Sequence, residues 1–133
     1  MIGVLIVSHG NLAREIFDTA CMILGEQENV KTISLMYDDD IKKFTNKVLA
    51  FTQELDQGDG VIVLSDLFGG SPNNSVLATS RLHSIKAITG VNLPMLIECL
   101  SSREFLSIDE LVESAKCTGI GGIKLLSDMI IAD

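Results

Sequence analysis

The chain has 133 residues, 47% of them hydrophobic and 21% charged, which is the length and composition of one globular domain and excludes a disordered tract. A chain of this length buries about two-thirds of its unfolded surface, so it folds without disulfides or a structural metal. The formal net charge of −8 argues against nucleic acid and against an anionic membrane surface as partners, and with no Trp and a single Tyr there is no broad aromatic platform for sugars or bases.

Ile2 to Ser8 is a short apolar run rich in β-branched residues, which predicts a buried strand. It lacks the basic leader and small-residue cleavage site of a signal peptide. No apolar run approaches the roughly 18 residues of a membrane span. A cytoplasmic chain without direct membrane insertion is therefore expected. Asn11 is placed to cap a helix with Leu12, Ile16, Phe17, Ala20, Ile23 and Leu24 on one face, and Gly25 suits its end. Val30 to Met36 predicts the second strand. Asp38, Asp39 and Asp40 then open a helix whose buried face is Ile41, Phe44, Val48, Phe51 and Leu55. Acidic residues at a helix start cap it and complement its dipole, which is a better account of this run than metal binding.

Gly60 to Ser65 predicts the third strand. The loop 66–71 leads to Pro72, which opens a helix running to about His83. Ile85 to Thr89 is a short fourth strand, and Pro94 opens a helix through about Leu100. Ser107 and Glu110 form a capping box for a helix ending near Gly119. Gly121 to Leu126 is apolar and alternating, which predicts a fifth, edge strand. Cys21, Cys99 and Cys117 are odd in number and widely spaced, the pattern of buried thiols in a reducing compartment.

Alternating strands and helices predict an α/β fold with an open, mostly parallel sheet and helices on both faces. In such sheets sites form beyond the carboxyl ends of the strands, where strand order reverses. His9 follows the first strand and Asp66 the third. In a flavodoxin-like order of 2-1-3-4 those strands are neighbours, and the two side chains meet. A carboxylate that accepts from one imidazole nitrogen leaves the other free to attack phosphorus, and it stabilises the ring cation that forms on transfer. Gly69 and Gly70 permit unusual φ values and close approach of backbone. Ser71 as N-cap and Pro72 at the first helical position then start a helix whose free N–H groups attract an anion. His9 and Asp66 are thus the candidate catalytic pair, with Gly69, Gly70 and Ser71 as the phosphate-binding set. No metal and no organic cofactor is expected, because phosphoryl transfer depends on positioning and charge. His83 lies at a helix end and reads as structural.

Three segments carry a resemblance: GVLIVSHG at 3–10, SDLFGGSP at 65–72 with Asn74, and TGVNLPMLIE at 89–98. In these, and in their order, the chain resembles the IIA domain of the mannose family of the bacterial phosphoenolpyruvate-dependent sugar phosphotransferase system. The resemblance implies that His9 accepts phosphate on Nε2 from the histidine-containing phosphocarrier protein and passes it to a IIB subunit. It also implies a homodimer in which the C-terminal strand, here about Gly121 to Leu126, pairs antiparallel with the partner's sheet. Asn73 stands where an aromatic residue is common in the family, a departure that bears on partner preference. Residues 1–133 are expected to form one IIA domain with no fused IIB domain. The alternative function is a regulatory phosphohistidine module that feeds no sugar. A serine hydrolase and an arginine-histidine-glycine phosphatase do not match the motifs.

Overall fold

The inner residues of the first strand, β1 (Gly3–His9), feed two separate cores. Val4 and Ile6 face one side and Leu5 and Val7 the other, all four wholly buried. A strand with no polar face is what a parallel sheet covered by helices on both sides requires. The computed structural model describes residues 1–130. After β1 come α1 (Leu12–Leu24), β2 (Val30–Leu35), α2 (Ile41–Leu55), β3 (Val61–Ser65), α3 (Ser71–Ser80), β4 (Lys86–Ile88), α4 (Leu93–Ser102), α5 (Ile108–Gly121) and a short 3-10 helix at Leu126–Met129.

The sheet is parallel throughout, in the order β2-β1-β3-β4. One core joins Val4, Ile6, Ile62 and Leu64 to Ala13, Ala20, Leu96 and Leu111 of α1, α4 and α5. The other joins Leu5, Val7, Val61 and Val63 to Phe44, Val48, Leu55 and Val76 of α2 and α3. The amphipathic spacing of α1 and α2 thus lays each helix on its own face of the sheet.

Helix starts follow local side-chain chemistry with two exceptions. Asp40 caps α2 by accepting from the Lys42 and Lys43 N–H groups, and Asp39 accepts from the Met36 N–H. Ser107 and Glu110 form the expected capping box on α5. Asn11 heads α1 but makes no side-chain cap; the buried Ser8 hydroxyl takes the Ala13 N–H instead. Gly70, not Ser71, is the cap residue of α3, so Ser71 is the first helical residue and Pro72 the second. The expected start was one residue late, because the backbone of Gly70 is already extended at φ −81, ψ 170.

The edge strand expected at Gly121–Leu126 does not form within the single chain. Gly121 is still the last residue of α5, and the N–H of Gly122 bonds the Thr118 carbonyl, continuing the helical pattern. Residues 123–125 take no regular structure before the 3-10 helix. A strand exists only by ladder pairing, and no strand of the same sheet receives this segment among the described residues.

Of the three thiols only Cys99 is buried; Cys21 is half-buried and Cys117 exposed. Burial pushes the Cys99 thiol up to about 12, with the Glu98 carboxylate adding to the effect. It is an inert core group, not a nucleophile.

Candidate functional site

The site is built where the carboxyl ends of β1 and β3 lie side by side. Val7 is the register partner of Ser65, so His9 and Asp66 leave the sheet together. One carboxylate oxygen, Asp66 Oδ2, accepts twice from the same residue: from the His9 backbone N–H at 2.8 Å and at Nδ1 of the ring at 2.8 Å. A carboxylate only accepts, so Nδ1 carries the proton, and in the neutral ring Nε2 then presents a lone pair. The Asp66 side chain is 9% exposed and the His9 ring 48%, so the orienting group is dry and the reactive edge is open. Asp66 Oδ1 is buried and has no hydrogen-bond partner among the described residues.

His9 is held by its backbone as well as by its ring. The next residue, Gly10, sits at φ +56, a conformation that L side chains rarely adopt, and its N–H bonds the Leu35 carbonyl at 2.8 Å.

The loop from Asp66 to α3 brings the start of that helix to the ring. Gly69 takes φ +84, as expected for a loop glycine. Gly70 is a glycine for a different reason: a Cβ there would lie 2.8 Å from His9 Cε1 and 3.5 Å from Nε2. Its missing side chain is the space the imidazole occupies. The first intrahelical bond of α3 runs from the Asn74 N–H to the Gly70 carbonyl. The N–H groups before it have no partner within the helix, and this helix start, whose cap residue Gly70 lies beside the ring, is a place that favours an anion. Asn73 is buried within α3, so its side chain is not a free surface group.

A cleft of about 510 Å³ adjoins the ring, lined by His9, Gly10, Leu35, Met36, Tyr37 and Ser71. The stretch at Leu35 to Tyr37 was not assigned to the site from sequence. The strand order carried the signal, since the end of a strand beside β1 opens on the same edge of the sheet. Residues 90–94 do not line this cleft. The Val91 N–H bonds the Ser65 carbonyl, and Asn92 caps α4 while donating to the Gly119 carbonyl. This segment braces the base of the Asp66 loop.

The second histidine pairs at the other end of the sheet. His83 Nε2 lies 3.0 Å from Asp56 Oδ2, ahead of β3 and β4. The Gly58 N–H, and then His83, hold the Asp56 carboxyl below its ordinary range. The pair ties the end of α2 to the turn after α3. Among the described residues no three His, Cys, Asp or Glu side chains gather as a metal-holding group, and no helix is long and apolar enough to cross a membrane.

Comparison with known proteins agrees with this architecture. Residues 3–116 match the family model EIIA-man, described as PTS system fructose IIA component. The mannose-specific EIIAB component of the phosphotransferase system (PTS) from Escherichia coli K12 is 40% identical over 128 residues, covering 94% of this chain and 39% of that protein. The chain therefore spans about two-fifths of the length of that relative. The PTS fructose-specific EIIA component of Bacillus subtilis 168 is 30% identical over 131 residues, covering 96% of this chain and 88% of the relative. The crystal structure of a phosphotransferase-system EIIA component from Streptococcus agalactiae superposes with a TM-score of 0.89 at 30% identity, covering 96% of this chain and 99% of that one. With the family model matching along most of its length and the fold in common, the chain belongs to the mannose-family IIA components of the sugar phosphotransferase system.

Proposed function

We propose that this chain carries a phosphoryl group on Nε2 of His9, received in the cytoplasm from the histidine-containing phosphocarrier protein and handed to a IIB subunit during sugar uptake. The observation that carries this reading is the 2.8 Å contact of His9 Nδ1 with Asp66 Oδ2, which turns the other nitrogen toward the start of α3. In the forward step the Nε2 lone pair forms the N–P bond. The bond between phosphorus and the donor's own histidine breaks, and its electron pair returns to the donor ring. Asp66 faces the positive charge left on the His9 ring. Gly69, Gly70 and Ser71 supply backbone N–H groups and the helix end to the phosphoryl oxygens, which carry spread negative charge in the transition state. The same groups serve the return step to the IIB subunit.

Incubation with phosphoenolpyruvate, the general first enzyme of the system and the phosphocarrier protein should add one acid-labile phosphate. Peptide mapping should locate it at 3–10, and 15N shifts should place it on Nε2. A phosphate on His83, or none with an active donor, would remove the proposal.

The assembly we propose is a homodimer. Ile123, Leu125, Leu126, Met129 and Ile130 are all exposed apolar residues, 60% to 77% accessible. The strand β4 lies at a sheet edge with Lys86 and Ala87 exposed. Pairing the 121–126 segment with the β4 edge of a second copy would cover Ile123, Leu125 and Leu126 and satisfy that edge. Analytical ultracentrifugation should give a dimer that deletion of residues 122–133 converts to monomer; a full-length monomer at all concentrations would count against it.

A further inference from the structure

Ser8 lies outside the groups given a role in the transfer, yet its hydroxyl is the only side-chain group among the described residues that bridges both sides of the His9 turn. It is wholly buried, accepts from the Ala13 N–H at 2.8 Å and donates to the Gly10 carbonyl at 3.2 Å. The residue that formally heads α1, Asn11, makes no side-chain cap bond, so the cap comes from inside the strand, three residues earlier. One hydroxyl thus clips the end of β1, the turn at Gly10 and the first turn of α1 together, with His9 at the apex.

We propose that Ser8 is a positioning residue that holds the His9 imidazole in its reactive tautomer and aim. The inference rests on the function proposed for His9. Asp66 Oδ2 serves both the backbone N–H and the ring of His9, so the ring angle is tied to the backbone angle at that residue. Rotation of the turn therefore breaks one of the two bonds or swings Nε2 away from Gly70. The tolerance is small, since a Cβ on Gly70 would already collide with the ring. Gly10, at φ +56, is a pliable point beside the histidine, and the Leu35 carbonyl restrains its N–H while Ser8 restrains its carbonyl. Removing the hydroxyl frees one side of that peptide pair and leaves the Ala13 N–H buried without its acceptor.

The test compares Ser8→Ala and Ser8→Thr with the wild-type chain. The readouts are phosphoryl uptake from the phosphocarrier protein, the 15N shifts of the His9 ring, and the thermal midpoint. Ser8→Ala should accept phosphate about 10- to 100-fold more slowly, the scale of a displacement near 1 Å at a reacting group. Its His9 ring should lose the single signature of a protonated Nδ1 and a bare Nε2. Ser8→Thr keeps the hydroxyl and should recover both. If Ser8→Ala does not fold, Ser8→Cys, whose thiol bonds weakly, should show a smaller slowing with the same change in signature. A Ser8→Ala protein that melts earlier but keeps the wild-type rate and ring signature below its transition overturns the proposal. Wild-type protein that takes no phosphate defeats the proposed function instead, while the ring signature still judges Ser8.

Discussion

His9→Ala should abolish uptake of acid-labile phosphate, and Asp66→Asn should slow it about 100-fold, equal to about 3 kcal/mol of transition-state stabilisation. The alanine variant lacks the ring nitrogen proposed to bear the phosphate. The asparagine variant is more informative, because the geometry dictates how the new amide sits. The His9 backbone N–H points at the Oδ2 position and demands an acceptor there. The amide oxygen must occupy that position, since the flipped amide would set two donors against each other. It can then still accept from Nδ1, so the tautomer survives and the lost quantity is the negative charge. The amide nitrogen falls where Oδ1 lies, buried and unpartnered, so little else is rearranged. A hydrogen bond to a charged group is worth about 1.5–3 kcal/mol and a neutral one about 1, and the variant also loses the negative charge that faces the ring cation formed on transfer, at a side chain only 9% exposed. Rapid-quench measurement of labelled phosphate transfer reads the effect. An Asp66→Asn rate within threefold of wild type, with the His9 ring signature intact, would show that the carboxylate charge contributes nothing to transfer.

The parts of this site that were legible in the sequence are those governed by one residue and one strand end. His9 and Asp66 each close an apolar run, and a parallel sheet sends every such end to the same edge. The order 2-1-3-4 then makes them neighbours, and Gly70 beside Ser71 and Pro72 marks a helix start. What escaped depends on the exact angle at which the chain turns. Asn11 has the residue type of a cap and Ser8 does not sit at a cap position by counting, yet the hydroxyl of Ser8 reaches the Ala13 N–H because Gly10 folds the chain back. The glycine at 70 was legible as a turn residue, whereas its steric role toward the imidazole needed the ring in place. The 121–126 segment shows a different limit: its alternation favours a strand, but alternation names no partner, and a strand needs one.

Arg103 marks the same limit in the core, and its replacement should have the largest effect on stability. The residue stands in the polar stretch after α4, yet it is 3% accessible. The guanidinium donates to the Ile2 carbonyl at 3.2 Å, the Asn29 carbonyl at 3.3 Å, the Glu28 carbonyl at 2.5 Å and the Gln27 Oε1 at 3.4 Å. One group thus ties the end of α4 to the entry of β1 and to the loop between α1 and β2. No carboxylate pairs with it among the described residues, and burial lowers its pKa from the ordinary value, with Glu104 and Glu28 acting in the opposite sense. Dipoles of carbonyls, aimed from two loops, hold the charge. Arg103→Met keeps most of the apolar stem and strands those acceptors, which should cost about 3 kcal/mol, a large share of the stability of a small domain. Arg103→Lys should recover only part, because one ammonium cannot reproduce the fork that spans both loops. Urea unfolding should show the midpoint falling with an unchanged slope. The phosphoryl-transfer rate of the folded fraction should stay at the wild-type value, since these bonds lie at the start of β1 and the histidine at its end. A loss below about 1 kcal/mol for Arg103→Met would mean that water replaces the guanidinium at those carbonyls, and that the clamp is not what joins α4 to the strand.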